Sequence, residues 1–439
     1  MFRVDKFIDK GLWAVGSQLL YLVYGVIAIF LVVRVLPQDE FGSYVLAQGM
    51  VQFITLISVA LVYNYMVREM SKDDWEPSLP YNSFLLSLLM NLILIAPIFY
   101  FRGSIAAAFN AEIFGQLLQS AIPLFLLSMF LKAYAQKIII SMRQPVKLFV
   151  ANGTYFLIMT IGLIYLNLEG NFRESSQLIY LSTLSAFASA LIGFILSAQV
   201  LKKIRLSFSL NILKNIIKFG KYSVGAATAN LVTNTADSFL ISYLSGPIQV
   251  AYYNSAKFIY KFYQSIPQVL DVTLYPYSSK LVLENRRSDL KVLYEKILCY
   301  LYLILLPLNL IAFYFSEPLL SLLYRGRYEG SYVILQILII ISTFIPVTSM
   351  SSLLAFAENK PKNVLYGRLI TLVIAIAAGL YLVPEHGAHG MAGALLFGFF
   401  GQAIYMTVII RKNLNLTFLG VLFRVKDAFN FVKRGIRTK

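Results

Sequence analysis

Residues 11–33 read GLWAVGSQLLYLVYGVIAIFLVV, a run of 23 positions without a single charge. A helix needs roughly 20 mainly apolar residues to cross the hydrocarbon layer, so this run is long enough to span it. Arg3, Lys6 and Lys10 stand ahead of it, as basic residues do ahead of a secretory signal. The run outlasts a signal core and carries no small-residue cleavage site, which makes it an uncleaved first span. Comparable runs follow at 42–66, 81–101, 117–139, 147–166 and 176–200. After the basic connection LKKIRLSFSLNILKNIIK come 218–243, 250–277, 295–315, 332–356, 365–383 and 390–410. The pattern predicts an all-α membrane protein of about twelve transmembrane helices, because backbone polar groups inside a bilayer must be bonded within the segment or within a closed barrel. These segments are too long and too uniformly apolar for barrel strands.

Composition agrees. Residues of the set AVILMFWYC fill 58% of the 439 positions and charged residues only 13%, against about a quarter in soluble domains. Nothing of any size is left for a soluble domain. The formal charge of +17 would suit nucleic acid in a soluble chain. Here its placement says otherwise. With the N-terminus inside, 30 of the 38 Lys and Arg residues fall in cytoplasmic segments or the helix ends beside them. Five face outward, Arg34, Arg102, Arg173, Arg325 and Arg327, and three, Lys132, Lys257 and Lys261, fall inside spans. Retained positive loops and anionic head groups account for that charge without nucleic acid, and both termini are expected in the cytoplasm. The expected division is a six-helix half over 1–205, a second over 206–411, and a basic tail over 412–439. Phe418, Leu422, Phe429 and Val432 recur in that tail at helical spacing, which suits an interfacial helix.

The halves carry traces of a repeat. Displaced by 209 positions, FGSYVLAQGMVQFITLI from Phe41 lies over VAYYNSAKFIYKFYQSI from Val250. Tyr44 falls on Tyr253 and Ala47 on Ala256, while Gln48, Gln52 and Thr55 fall on Lys257, Lys261 and Gln264. One half keeps neutral polar groups where the other keeps cations. In the eighth span Lys257, Lys261, Gln264, Gln268 and Asp271 share one helical face. Asn230, Asn234 and Asp237 do so in the seventh, and Ser128, Lys132 and Gln136 in the fourth. A charge at membrane depth costs about 2.5–3.5 kcal/mol on insertion scales, so such faces meet a partner or a hydrated cavity. Buried pairs such as Asp237 with Lys257 or Lys261 would serve helix packing. A hydrated cavity would instead let lysines, flexible point charges, follow a phosphate or acidic sugar. Asp237 and Asp271 would then balance charge or exchange a cation.

Catalysis finds little support, and we expect no catalytic residue. His386 and His389 form an H-x-x-H pair without the glutamate of a zinc-protease helix, so no metal is expected there, and there is no Walker sequence. Cys299 stands alone and forms no intrachain disulfide. Gly390, Ala394 and Gly398 make a small-residue face for close helix approach, and Pro267, Pro307 and Pro346 can kink their spans.

Three stretches, RVLPQDEFGSYVLAQ at 34–48, ADSFLISYLSGPIQVAYYNSAKF at 236–258 and LLYRGRYEGSYVILQIL at 322–338, resemble the polysaccharide flippase family of the multidrug, oligosaccharidyl-lipid and polysaccharide exporter superfamily. The resemblance extends over nearly the whole chain, although Ala251 stands where the first-half motif has Gly42. It implies two six-helix lobes in a V around a central, often cationic cavity, with Lys257 and Lys261 at the expected place of cavity cations. It further implies a polyprenyl-pyrophosphate-linked oligosaccharide as cargo, such as an O-antigen or other surface polysaccharide unit, moved across a bacterial inner membrane. No cofactor is implied beyond a coupling proton or sodium ion. Membrane lipids, a polysaccharide polymerase and other assembly proteins are the implied partners. A multidrug or organic-cation antiporter of the same superfamily would share this architecture but favour an acidic or aromatic cavity. A glycan polymerase or ligase would need a larger outer loop than 316–331.

Overall fold

The computed structural model describes residues 20, 23–70, 74–142, 144–170, 172–263, 266–267, 270, 274, 278, 281–282, 284–358 and 360–425; for 29, 221–234 and 418 it describes the backbone alone. Most of the predicted first span's beginning and the second half of the tail lie outside these, Phe429 and Val432 included. Every regular element among the described residues is helical. The helices of the first half are the short apolar α1 (Val23–Val33) and the spans α2 (Gln38–Met70), α3 (Leu79–Tyr100), α6 (Ala121–Ser141), α7 (Pro145–Leu168) and α8 (Ser175–Leu196), with short α4 (Arg102–Ala108) and α5 (Glu112–Gln119) between α3 and α6. Then come α9 (Leu210–Ser245), α10 (Pro247–Tyr260), α11 (Arg287–Tyr314), short α12 (Ser316–Tyr324), α13 (Ser331–Ser342), α14 (Ile345–Ala357), α15 (Pro361–Leu414) and α16 (Phe418–Phe423). Helices α13 and α14 form one span bent by 42°, just before Pro346. The 54 residues of α15 hold two spans, which part at Gly387 (φ 54°, ψ −129°). Among the described residues seven helices, with α15 counted once, are long and apolar enough to cross a membrane, and the bent pair α13–α14 makes an eighth; α1, α9 and α10 stand at the places of further predicted spans. The predicted fourth span begins four residues late, because Ser120 separates it from α5.

Contacts divide the chain into two compact units, 1–251 and 252–439. In the first, α8 shows how the helices choose their faces. Its buried side is Ser175, Leu178, Ile179, Ser182, Ser185, Ala186, Ser189, Ala190 and Gly193. Its exposed side carries Tyr180, Leu184, Phe187, Leu191 and Ile195. Apart from Leu178 and Ile179 the inward residues are small and the outward ones bulky and apolar, since lipid tolerates exposed apolar surface and helices associate by close packing. Ser182 and Ser185 donate to the carbonyls of Leu178 and Leu181 one turn back, both at 2.8 Å, whereas Ser189 donates across to the Ala151 carbonyl of α7 at 2.7 Å.

Helix α2 contains a π-helical turn over Val59–Tyr63, and Gly220 of α9 comes so close there that an added Cβ would lie 2.1 Å from the Leu61 carbonyl oxygen. Gly42 near the start of α2 meets the backbone of Pro247 in the same way, at 1.9 Å from its carbonyl oxygen. The connection before α9 is pinned to α3. Asn82 donates to the Ser207 carbonyl (2.8 Å) and accepts from the Ser209 amide (2.9 Å).

In the second unit, Gly390 and Gly398 pack against the carbonyls of Leu382 and Thr371 in the preceding half of α15. Thr371 donates to Gln402 Oε1 at 2.8 Å. His389 Nε2 lies 2.9 Å from the Gly330 carbonyl, tying the break in α15 to the loop before α13. Leu290, Tyr294 and Leu298 of α11 pack with Met350, Leu353 and Leu354 of α14 and with Ile410 and Leu414. Beyond them Arg424 donates to Glu295 Oε2 through Nε (3.0 Å) and a terminal nitrogen (2.8 Å), fixing α16 to the start of α11.

Candidate functional site

In the first unit the predicted polar face of the fourth span meets a second one. Antiparallel α6 and α7 bring Lys132 against Tyr155 and Gln136 against Asn152. The Lys132 ammonium lies 3.4 Å from the Tyr155 ring centroid, and Gln136 Nε2 donates to Asn152 Oδ1 at 2.7 Å. Lys132 and Gln136 are one turn apart on α6, and Asn152 and Tyr155 three residues apart on α7, so the contacts form two rungs of one ladder. Among the described residues no carboxylate pairs with Lys132. A cation–π contact contributes about 0.5–2 kcal/mol, less than the roughly 2.5–3.5 kcal/mol that a charge at span depth costs. The ring steadies the ammonium without neutralising it.

Gln48 and Gln52, four residues apart on α2, are both exposed. Gln48 Nε2 donates to the Tyr44 hydroxyl at 2.9 Å, and among the described residues neither glutamine is hydrogen-bonded to the Lys132 ladder. Asp237 is buried in α9 and accepts from the Ser238 amide at 2.7 Å. The side chains of Asn230 and Asn234 lie outside the described residues.

In the second unit α10 carries Lys257, whereas Lys261, expected on the same helical face, stands in a turn just past the helix's last residue, Tyr260, because the described helix ends well short of the predicted 250–277. Lys257 is buried, 5.3 Å from the Tyr253 ring centroid, and Lys261 is exposed, 4.5 Å from that of Phe258. Gln264, Gln268 and Asp271 lie outside the described residues. A hydroxyl chain seats α10. Ser255 donates to Ser331 Oγ (2.9 Å), Ser331 to the Tyr252 carbonyl (2.8 Å), and Tyr324 to the Ser255 carbonyl (2.8 Å). Arg325 (φ 53°) and Gly326 (φ 76°) turn the chain after α12, and that turn delivers Tyr328 onto the rings of Tyr252 and Tyr324 and Ser331 onto α10. The stretch at 322–338 is therefore a buttress for the lysine-bearing helix.

Sequence reasoning singled out Lys132 and Gln136 but missed Asn152 and Tyr155. Their three-residue spacing was available as a signal. It stands in an otherwise apolar span, where a lone amide and a tyrosine read as packing. Ser255 and Ser331 were equally hidden, because buried serines in membrane helices usually bond their own backbone, as in α8.

Together these features define a multi-pass α-helical membrane protein with polar and cationic faces at span depth. The chain belongs to the polysaccharide biosynthesis protein family, whose model matches residues 31–333. An uncharacterized membrane protein of Methanocaldococcus jannaschii is 24% identical over 235 residues, 52% of this chain and 46% of that protein, so the chain spans about half of that relative's length. The fold is that of the lipid II flippase MurJ in its inward closed conformation, with a TM-score of 0.75 at 13% identity, covering 98% of this chain and 93% of that one. An inward-facing multidrug resistance MATE family transporter of the MOP superfamily has the same fold, with a TM-score of 0.69 at 14% identity, covering 95% and 96%.

Proposed function

We propose that the chain is a flippase that moves a polyprenyl-pyrophosphate-linked oligosaccharide from the cytoplasmic to the outer leaflet of a bacterial inner membrane, with both termini in the cytoplasm. The observation that carries this reading is the set of span-depth lysines, Lys132, Lys257 and Lys261, in a chain of the polysaccharide biosynthesis family. Lysine-bearing faces favour a phosphorylated or acidic glycan. Gln48, Gln52 and Gln136 offer hydrogen bonds to sugar hydroxyls, with Asn230, Asn234, Gln264 and Gln268 extending the same faces. Two six-helix lobes, 1–205 and 206–411, alternate access, and Asp237 with Asp271 exchange a proton or sodium ion. The glycan passes by these faces while its lipid tail stays in the membrane.

The MATE likeness favours one other reading, export of an organic cation. Charge separates the two: a cation exporter needs carboxylates or aromatic rings to dominate at span depth, and here the three lysines outnumber Asp237 and Asp271. The experiment is translocation of a fluorescent polyprenyl-pyrophosphate oligosaccharide in liposomes under imposed proton and sodium gradients. We expect the wild type to move it and Lys257→Ala/Lys261→Ala, at unchanged folding, to lose most of that activity. Absent lipid translocation together with efflux of cationic dyes refutes the flippase.

A further inference from the structure

The ladder between α6 and α7 holds more recognition capacity than its packing consumes. Gln136 and Asn152 satisfy each other once, and neither has a further partner among the described residues. The pair therefore retains one amide NH₂ donor and one carbonyl acceptor. That inventory is unchanged if both amides are flipped, since one nitrogen and one oxygen are spent either way. One turn away stands the Lys132 ammonium, held by an aromatic face and paired with no carboxylate among the described residues. All four residues are partly accessible. A cation, a donor and an acceptor within one helical turn match an acidic group next to a hydroxyl. The ammonium and the amide NH₂ take the anion's oxygens, and the amide carbonyl accepts from the neighbouring hydroxyl. Charge-assisted bonds of this kind are shorter and stronger than neutral ones.

We propose that Lys132, Gln136, Asn152 and Tyr155 form an anion-recognising subsite, contained within the first unit, that takes an acidic group of the passing cargo. The group is a sugar carboxylate or a phosphate, which share this chemistry. Binding lifts the ammonium from the Tyr155 ring toward the anion, a displacement that lysine's flexible stem permits. The proposal rests on the flippase reading for its cargo but not for its binding chemistry, and it differs from a purely structural lysine in predicting that an anion stabilises the purified wild type and not Lys132→Met.

The test compares two polyprenyl-pyrophosphate glycans of equal length, one ending in glucuronate and one in glucose, moved in liposomes by wild type, Lys132→Met and Lys132→Arg. If the subsite takes the sugar acid, Lys132→Met slows the glucuronate glycan by about tenfold or more and the glucose glycan severalfold less, with Lys132→Arg restoring part of the rate. If it takes the carrier's pyrophosphate, Lys132→Met slows both equally. Unchanged rates for both overturn the subsite. A second arm measures thermal stabilisation of the purified protein by sodium glucuronate, inorganic pyrophosphate and glucose. We expect one of the two anions to stabilise the wild type and not Lys132→Met; stabilisation by neither refutes the proposal. This arm decides the subsite even where the wild type moves no lipid, an outcome that by itself refutes only the flippase. Should Lys132→Met misfold, Gln136→Leu takes its place in both arms.

Discussion

Gly42→Ala isolates the closest backbone approach in the first unit. A Cβ at Gly42 would lie 1.9 Å from the Pro247 carbonyl oxygen and 2.6 Å from its carbonyl carbon, and both atoms are backbone at the start of α10. Ordinary contact begins near 3.4 Å, so the start of α2 and Pro247 must part by about 1.5 Å, with no flexible side chain to take up the change. Overpacking of this kind costs about 1–3 kcal/mol. Against it stands the helix propensity of alanine, which favours the substitution by about 1 kcal/mol. The net expectation is destabilisation by about 0–2 kcal/mol, near the upper value because the clash is with backbone. Gly49, on the same helix, supplies the control: a Cβ there meets only the Phe239 ring, at 3.4 Å. Gly49→Ala should be neutral or slightly stabilising. The assay is the melting temperature of each purified variant in one detergent, followed by the loss of monodisperse protein on heating. If Gly42→Ala melts with or above Gly49→Ala, the close approach does not constrain the fold and the argument fails.

Two further substitutions test other parts of the molecule. Asn309 in α11 is buried, and neither side-chain amide atom has a partner among the described residues. Since a buried unsatisfied polar group costs about 1–3 kcal/mol, Asn309→Leu should raise the melting temperature; a fall would show that the amide is satisfied in the working protein. Removing Arg424 leaves Glu295, whose side chain is 5% exposed, with Lys291 at 4.0 Å as its one cation among the described residues. Breaking a buried pair costs about 3–5 kcal/mol, and the 29% exposure of Arg424 scales this to about 2–3.5 kcal/mol. Arg424→Ala should therefore lower the melting temperature and Glu295→Leu/Arg424→Leu should recover most of the loss; equal melting of Arg424→Ala and wild type would remove the pair from the fold's support.

The spans were legible because lipid demands long apolar runs, whatever face each helix turns inward. Pro346 marked the bend between α13 and α14, and the small residues at 390, 394 and 398 marked a close helix contact. The short helices α4, α5 and α12 were not legible, since each lies in a connection whose apolar content blends with the neighbouring span; α5 in particular merged with the fourth. The difference between Gly42 and Ala251 looked like a weakened motif, and in space it is a backbone contact with Pro247. For the candidate site, periodicity located Lys132 and Gln136 on one face but said nothing of what faces them. Which helix supplies the other rung depends on tertiary pairing, and Asn152 and Tyr155 acquire meaning only there.

The serines of α8 bear on how the chain is made. Ser182 and Ser185 satisfy themselves within their own helix, so that segment can leave the translocation machinery for lipid without stranding those hydroxyls. Ser189 cannot, because its acceptor is the Ala151 carbonyl. That carbonyl lies on the helix synthesised just before, so α7 and α8 can enter the bilayer as a hairpin that completes this bond without waiting for later segments to arrive.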